Sequence, residues 1–455
     1  ALSVVVLMTS GVSAKAAVTD VQPAKNSSEA VLKWAKKVGE PFDEKTYANN
    51  TVSKIKLVGN YLYVADDAKH RIMKIDKKDG TILKEQKYYD ESYIQGYVSS
   101  IGYGDGKVYV GYDNGRVQAF DENTLESVWI TDENKNAINA DFVFTNGKLY
   151  FGTTAKTTDW YDNGAPFSYY VVTTSDDDKT KPDEEKTMKK VVESKTGKFY
   201  LKKGVVLGKY IVISDTAGTL TMIDTTNDKV TDTKDIGEAF SGNITYDEMT
   251  GTIYFVAGTN DLYGIKVSAD GKLKDEKKVR LYETGYSATT PEVYNGKVYV
   301  SGSKGKAFQD KGYMAVADVS SDKYKVNYTV ELSNYSQCEP TIVKTGEDSV
   351  RVYFTINDEP GGIYAIEDSK DATSATLETV YEPTGDIKNT GCMSNVVVDE
   401  DGTIYFANDS KYIMSVGKKV EDTTKSDAIV VKPVTKTVKS ERSVKLTWKK
   451  NKSAK

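Results

Sequence analysis

Apart from carboxylates, the chain has few residues that could carry out chemistry. One histidine, His70, and two cysteines are present in 455 residues. Because no cysteine lies near His70 in the sequence, a His-based catalytic triad and a zinc site of His and Cys ligands are disfavoured. We interpret His70 as a loop residue between two strands. The 66 Asp and Glu residues leave two-carboxylate catalysis open, as in glycoside hydrolysis. Their spacing in the sequence does not identify a pair.

The two cysteines begin the similar segments CEPTIV and CMSNVV, so they occupy the same offset before an apolar strand. Equivalent positions on neighbouring strands converge, and an exported chain can keep a disulfide. Bridging also requires Cα atoms within about 7 Å. Two alternatives stay open for Cys338 and Cys392: a disulfide, or two buried thiols.

Four short segments, 87–97, 282–290, 333–338 and 386–392, are rich in Tyr, Asn, Gln and Ser. Aromatic faces beside amides and hydroxyls suit the recognition of sugars or peptides. Packing of these rings within the fold is the alternative interpretation. The expected ligand-binding residues are Tyr93, Tyr97, Tyr286, Tyr335 and Asn389.

A repeated motif predicts the elements that position these segments. It has a turn of Gly, Asn or Asp, a strand with a Tyr or aliphatic anchor, and a second strand that often ends in Asp, as in GDGKVYVGYDNGRVQAFD at 104–121. A four-stranded propeller blade needs about 44 residues, which matches anchor spacings of 41 to 61 residues. The eight anchors are Tyr63, Tyr109, Tyr150, Ile211, Tyr254, Tyr299, Tyr353 and Tyr405.

We therefore predict an all-β, eight-bladed propeller of four-stranded blades over residues 30–417. The eighth blade lacks a fourth strand, and AVLKWAKKV at 30–38 has no blade of its own. We expect this N-terminal strand to complete blade eight, since an unpaired edge invites aggregation. The acidic insertion at 175–190 is expected to be a solvated hairpin. The Asp residues that end third strands are expected to form Asx turns; they are Asp76, Asp121, Asp224 and Asp318.

The blade sequences, such as VYVGYDNGRVQAFDENTLESVW at 108–129, resemble the PQQ-like propeller repeat family over about residues 30–417. That resemblance implies the fold. The functions of the family members differ, because the family includes quinone-dependent dehydrogenases and scaffolds of the BamB type. The quinone enzymes commonly have paired adjacent cysteines, a Trp under the quinone and a calcium site. This chain has neither adjacent cysteines nor a matching Trp, so we expect no cofactor and no metal.

The flanking segments point to export. Residues 1–16 resemble a signal peptide ending in Ala14-Lys15-Ala16, and 17–29 and 418–427 are expected to be linkers. Residues 428–455 resemble the start of a fibronectin type III domain, with Trp448 in its V-x-L-x-W strand; this part of the β-sandwich is truncated. A net charge of −5 argues against nucleic-acid binding. No segment has the length of a membrane span.

These features predict a monomeric, extracellular or cell-surface propeller of bacterial type that binds a glycan or a peptide without catalysis. Two alternatives remain. The first is a carboxylate-based glycan hydrolase or lyase, which would need two acids about 5 to 10 Å apart in a cleft. The second is a structural spacer.

Overall fold

A computed structural model describes residues 22–39, 52–89, 101–139, 141–156, 164–176, 185–200, 202–240, 242–306, 310–389, 391–392, 394–419, 435–440 and 443–447. The chain divides into two compact units, residues 1–418 and 419–455. The predicted signal peptide at 1–16, together with Tyr93 and Tyr97, lies outside the described residues. Among those that are described, no helical turn has the length or the apolar character needed to cross a membrane.

The first unit is an eight-bladed propeller, as predicted, and each blade is built on four antiparallel strands. Its first strand is β1 (Ala30–Lys37). Blade one contains β2 (Lys56–Val58), β3 (Tyr61–Asp66), β4 (Arg71–Asp76) and β5 (Ile82–Lys87). Blade two contains β6 (Gly102–Gly104), β7 (Lys107–Gly111), β8 (Val117–Asp121) and β9 (Ser127–Thr131). Blade three contains β10 (Val143–Thr145), β11 (Lys148–Gly152), β12 (Phe167–Thr173) and β14 (Lys189–Ser194), with β13 (Glu185–Lys186) between the last two.

The next blades repeat this order. Blade four contains β15 (Val205–Leu207), β16 (Tyr210–Ser214), β17 (Thr219–Asp224) and β18 (Lys229–Asp235). Blade five contains β19 (Thr245–Asp247), β20 (Thr252–Ala257), β21 (Asp261–Val267) and β22 (Leu273–Arg280). Blade six contains β23 (Glu292–Tyr294), β24 (Lys297–Ser303), β25 (Gly312–Asp318) and β26 (Lys325–Leu332).

Blade seven contains β27 (Thr341–Lys344), β28 (Ser349–Thr355), β29 (Ile363–Ser369) and β30 (Glu378–Tyr381). Blade eight contains β31 (Val397–Val398), β32 (Ile404–Ala407) and β33 (Tyr412–Lys418). Two short 3-10 turns occur at Asp67–Lys69 and Gly385–Ile387. The second unit shows an antiparallel hairpin of β34 (Thr435–Ser440) and β35 (Ser443–Thr447); the type III domain stays a prediction.

The N-terminal strand closes the ring as expected. β1 is antiparallel to β33, with Ala30 opposite Lys418, and forms the outer strand of blade eight. Residues 22–29, which we expected to lie in a linker, contact blade seven instead. The Tyr353 hydroxyl donates to the Ala24 carbonyl at 3.2 Å, and Ser27 N–H donates to Thr379 O at 2.9 Å. This segment therefore holds blades seven and eight together.

The core consists of apolar layers between neighbouring blades, and the anchor tyrosines join these layers. The Tyr63 hydroxyl donates to Glu122 O in blade two at 2.6 Å, and the Tyr405 hydroxyl donates to Lys77 O in blade one at 3.2 Å. Both rings are buried. The anchor tyrosines pair with the first residue of the innermost strand, as Tyr63 does with Lys56. In blade four this position is held by Val212 rather than Ile211. The predicted anchor of blade four is therefore wrong by one residue.

The four strand-ending aspartates form Asx turns, as predicted. Each accepts a hydrogen bond from the backbone N–H two residues later, at 2.8 to 3.0 Å. This side-chain contact stabilises the turn between the third and fourth strands. The residues are Asp76, Asp121, Asp224 and Asp318.

The acidic insertion is not solely a solvated hairpin. Its residues Glu185–Lys186 pair in parallel with β9 and add a fifth strand to blade two. Lys186 is buried, donates to Thr173 Oγ1 at 2.9 Å and lies 5.0 Å from the centre of the Trp129 ring. The insertion therefore covers the outer edge of blade two and links it to blade three.

Candidate binding site at the channel mouth

The described connections between blades lie on one face of the propeller, which we call the channel-mouth face. Each leads from an outer strand to the innermost strand of the next blade. A polar ring precedes the innermost strands, at the position two residues before the first paired residue. Its described members are Lys54, Asp141, Lys203, Asn243, Thr290, Glu339 and Asn395. Every blade except blade two therefore contributes one described residue to this ring.

Ion pairs within this ring span the centre of the propeller. Lys203 Nζ lies 3.6 Å from a Glu339 carboxylate oxygen, and Lys54 Nζ lies 3.7 Å from Asp141. Amide side chains hold the backbone beneath them, because Asn243 accepts from Lys203 N–H at 2.8 Å and Asn395 accepts from Glu339 N–H at 3.1 Å. Ion pairs across the channel therefore connect blades that are not adjacent in the ring.

A second carboxyl group, from an innermost strand, lies beside the pair of Lys203 and Glu339. Glu292, on the innermost strand of blade six, is hydrogen-bonded to the Glu339 carboxyl group. Burial, and then the Glu339 charge, raises the pKa of Glu292 well above its usual range. Burial also opposes ionisation of Glu339, but Lys203 and Lys54 outweigh it and hold the pKa of Glu339 below its usual value. Glu339 is therefore the more acidic of the two carboxyl groups.

This acid pair does not have the geometry of a glycosidase. Retaining and inverting enzymes hold their carboxyl groups about 5 to 10 Å apart so that the scissile bond fits between them. Glu292 and Glu339 instead share a hydrogen bond. Lys203 contacts one Glu339 oxygen, and Asn395 Nδ2 donates to the other at 3.3 Å. The arrangement neutralises charge in the channel and leaves no space for a substrate between the acids.

The structure brings together two of the predicted ligand-binding segments. The Asn357 side chain hydrogen-bonds to the Tyr335 hydroxyl and accepts from Cys392 N–H at 2.9 Å. Asn389 lies in that same connection, where its side chain accepts from Gly391 N–H at 2.9 Å. Tyr335 and Asn389 are both half-buried. Part of the side-chain capacity of each is therefore used in shaping its own loop.

Tyr286 belongs to the connection between blades five and six. Its backbone pairs with Ser303 at the end of β24, with N–H···O distances of 3.0 and 2.8 Å. The side chain is half-buried. The structure thus places three of the five predicted residues on the channel-mouth face, and the other two fall outside the described ranges.

Cys338 and Cys392 are free thiols in the structure, and both are buried. The Cys338 thiol contacts Glu339 O at 3.1 Å, and the Cys392 thiol contacts Ala407 O at 3.5 Å. Burial raises the pKa of both, and each also lies beside the Thr355 hydroxyl. Of the two alternatives left open by the sequence, the structure shows two buried thiols rather than the disulfide.

Sequence reasoning missed a cavity at the seam between blades eight and one, which we call the seam cavity. It encloses about 30 Å³, enough for one or two water molecules. Two lysines and one aspartate supply its charge. The lining residues are Val52, Ser53, Lys54, Ser394, Ala407, Asn408, Asp409 and Lys411. Comparing the residue two positions before each inner strand would have revealed Lys54, although not the cavity.

The described residues do not fit a quinone site. Cross-channel ion pairs occupy the centre, Trp34 packs between blades eight and one against Tyr405, and Trp129 is buried in the outer strand of blade two. Within the described ranges, no three His, Cys, Asp or Glu side chains are grouped so that they could bind a metal ion. Neither an aromatic floor nor a carboxylate-rich cation site is therefore present in that part of the chain.

Comparison with solved structures supports the fold. BamB from Moraxella catarrhalis superposes with a TM-score of 0.56 at 12% identity, covering 85% of this chain and 97% of BamB. The quinohemoprotein alcohol dehydrogenase of Comamonas testosteroni gives 0.60 at 11% identity, covering 89% and 81%. The enzyme ADHIIG from Pseudomonas putida HK5 gives 0.59 at 10% identity, covering 88% and 78%.

No family model matches the chain, and no curated protein matches it in sequence. The fold and the channel define an eight-bladed β-propeller similar to BamB and to the propellers of quinohemoprotein dehydrogenases. At these identities the likeness concerns the fold alone.

Proposed function

We propose that this chain is a non-catalytic binding or scaffold propeller that acts at or outside the cell envelope and recognises a glycan or peptide on its channel-mouth face. The carrying observation is the cross-channel pairing of Lys203 with Glu339. Because these side chains cross the centre, we place the ligand at the mouth and its connections rather than in the channel interior.

The chemistry of the mouth supports recognition rather than reaction. Tyr335 and Asn389 lie on adjoining connections that Asn357 joins. Half-buried aromatic and amide groups on loops fixed by a rigid sheet can stack on an apolar ring and satisfy polar groups. The acid pair of the channel is fully engaged and lacks the separation needed for glycan hydrolysis.

The test is a binding screen of the full chain against glycan and peptide arrays, with product analysis by mass spectrometry. Saturable binding without product supports the proposal. Turnover of a glycan would favour the hydrolase or lyase alternative, and an absence of binding across both arrays would favour a structural spacer.

Variants then locate the ligand. Alanine at Tyr286, Tyr335 or Asn389 should weaken a mouth ligand by about 1–3 kcal/mol if the side chain contacts it. If the ring only packs within the fold, its replacement by alanine should lower the melting temperature and leave the affinity for the ligand unchanged. Met249, which is exposed in the turn between β19 and β20 on the opposite face, supplies the control Met249→Ala. If folded variants at all three mouth positions bind normally, the assignment of the mouth is wrong.

A further inference from the structure

The apolar layer between blades six and seven contains a buried ion pair. Lys297 is the first residue of β24 in blade six, and Asp368 lies in β29 of blade seven. Lys297 Nζ lies 2.9 Å from one carboxylate oxygen of Asp368 and 3.2 Å from the other. The side chains of Lys297 and Asp368 are 10% and 1% exposed. The two charges are therefore almost completely removed from water.

Two tyrosines of blade six hold the carboxylate of Asp368. The Tyr299 hydroxyl donates to one oxygen at 2.8 Å, and the Tyr328 hydroxyl donates to the other at 2.6 Å. Burial and the Asp368 carboxylate raise the pKa of both hydroxyl groups, so both remain donors. Lys297 also donates to Ser369 O at 2.6 Å, which holds the ammonium group beside the carboxylate.

This arrangement brings an amine within reach of a carboxyl carbon. Because Nζ of Lys297 contacts both oxygens, Cγ of Asp368 lies at most about 3.5 Å from it, which is the separation of atoms that are poised to react. Groups held in this way behave as if they were present at about 10⁵–10⁸ M. The equilibrium between the two groups and an amide is thereby shifted towards the amide, whose formation also removes two buried charges.

The same contacts support each step of such a condensation. Transfer of a proton from the Lys297 ammonium group to Asp368 leaves a neutral amine and a carboxylic acid, the forms that burial favours. Nζ then attacks Cγ, and a tyrosine hydroxyl stabilises the negative charge that develops on the carbonyl oxygen. A second proton passes from Nζ to the hydroxyl group, the C–O bond breaks and one water molecule leaves. No oxidant or further reactant is required.

We propose that Lys297 and Asp368 form an isopeptide bond in the folded chain. The amide joins Nζ to Cγ and links blade six covalently to blade seven. Tyr299 and Tyr328 are the catalytic residues that promote its formation. This inference is independent of the proposed function, because it concerns the interface between two blades and not the channel mouth.

A second pair of lysine and aspartate, between blades three and four, provides a matched comparison. Lys148 Nζ lies 2.7 Å from Asp228, and the Tyr150 hydroxyl donates to the same carboxylate at 2.7 Å. Lys189 adds a second ammonium group at 2.9 Å. Burial opposes ionisation of Asp228, but hydrogen bonds from Lys148 and Lys189 outweigh it and lower the pKa of Asp228. Asp228 therefore stays a carboxylate, which an amine does not attack, and we expect no amide there.

Mass spectrometry of the denatured full chain gives the first test. After the termini have been determined, the chain should be lighter than its sequence mass by about 18 Da, the mass of one water molecule. Lys297→Arg keeps the positive charge but cannot form the amide, so this variant should have its full sequence mass. Lys148→Arg is the matched control and should keep the mass deficit. A full mass for the unaltered chain would overturn the proposal.

A succinimide at an aspartate has the same mass deficit and must be distinguished. Tandem mass spectrometry of a protease digest separates the two products, because the isopeptide joins the peptide that contains Lys297 to the one that contains Asp368. A deficit that persists in Lys297→Arg would indicate a succinimide and overturn the cross-link. If Lys297→Arg does not fold, the presence or absence of the branched peptide in the unaltered chain decides.

Tyr299→Phe separates a catalytic role from packing. It keeps the ring and removes one hydrogen-bond donor from the reacting carboxyl group. Loss of one donor to a developing oxyanion slows a reaction by about 100-fold or more, so freshly purified Tyr299→Phe should be much less cross-linked than the unaltered chain. Melting curves establish that the variant is folded. A folded variant with complete cross-linking would overturn the catalytic role of Tyr299.

Discussion

Lys203 and Glu339 form an ion pair of 3.6 Å although they belong to blades four and seven. The innermost strands of a propeller do not pair with one another, so the channel has no backbone hydrogen bonds across it. This side-chain pair supplies a direct link between opposite parts of the ring. Lys203 keeps 29% of its side-chain surface open, which indicates that the channel around it is not completely filled.

Removing one partner of this pair should destabilise the ring. Lys203→Met leaves the Glu339 carboxylate without its nearest cation, and we expect a loss of about 2 kcal/mol, below the range for fully buried pairs because both groups are partly open to the channel. Urea unfolding measures the loss. The exposed pair of Lys190 and Glu193 provides the control, since Lys190→Met should leave the midpoint almost unchanged. Equal effects of the two variants would contradict a bracing role.

Lys202 predicts an unusual pH dependence. Its ammonium group is buried and donates to Phe240 O at 3.0 Å and to Gly242 O. Burial lowers the pKa of Lys202 to about 7. Between pH 7 and the ordinary lysine value near 10.4, the unfolded chain binds a proton that the folded chain does not. The unfolding free energy should therefore rise with pH in this window, by at most about 1.4 kcal/mol per unit.

The contribution of Lys202 is isolated by comparison with Lys202→Met. The difference in unfolding free energy between the unaltered chain and this variant should shift in favour of the unaltered chain as the pH rises from 7 to 9. Urea titrations at pH 6, 7, 8 and 9 measure it. A difference that is constant over this range would show that the folded-state pKa of Lys202 is not lowered.

Trp34 should be needed for the closure of the ring. Its indole N–H donates to Lys77 O at 3.1 Å, and its ring lies against Gly80 and Tyr405. Trp34→Ala removes this contact between blades eight and one, and we expect a loss of about 3 kcal/mol. Val31→Ala on the same strand is the control, because Val31 is 39% exposed. Thermal melting compares the two, and equal melting temperatures would argue against the strand pairing.

The two cysteines should be unreactive in the folded state. Burial raises the pKa of both thiols, so little thiolate is available for attack. We expect DTNB to react with no thiol in the native chain and with two in urea without reductant. Two titratable thiols only after reduction would instead indicate a Cys338–Cys392 disulfide.

The fold was predictable because its signals are local. In every blade a turn glycine precedes an anchor by a few residues, and in four blades an Asx-turn aspartate follows. The error at Ile211 arose because Val212 beside it is also apolar, and the tyrosine that marks the register elsewhere is missing there. The fifth strand of blade two escaped prediction because its partner β9 lies in a different blade.

The ion network of the channel was not predictable in the same way. Lys203, Glu339 and Asp141 each resemble a solvated charge before a strand, and only ring closure brings them together. A chain of 66 acids and 61 bases offers too many possible pairs. Alignment of the repeats on their inner strands would have shown that one position is polar in every blade, although not which charges meet.

The pairing of Ala30 with Lys418 also bears on the order in which the molecule forms. Hairpins within each blade close short loops and can form early, whereas β1 must wait until nearly the whole described propeller has been synthesised. Closing so large a loop carries an entropic cost and slows folding. We therefore expect blade eight to be completed last, so that a chain interrupted before Lys418 would remain an open, aggregation-prone arc.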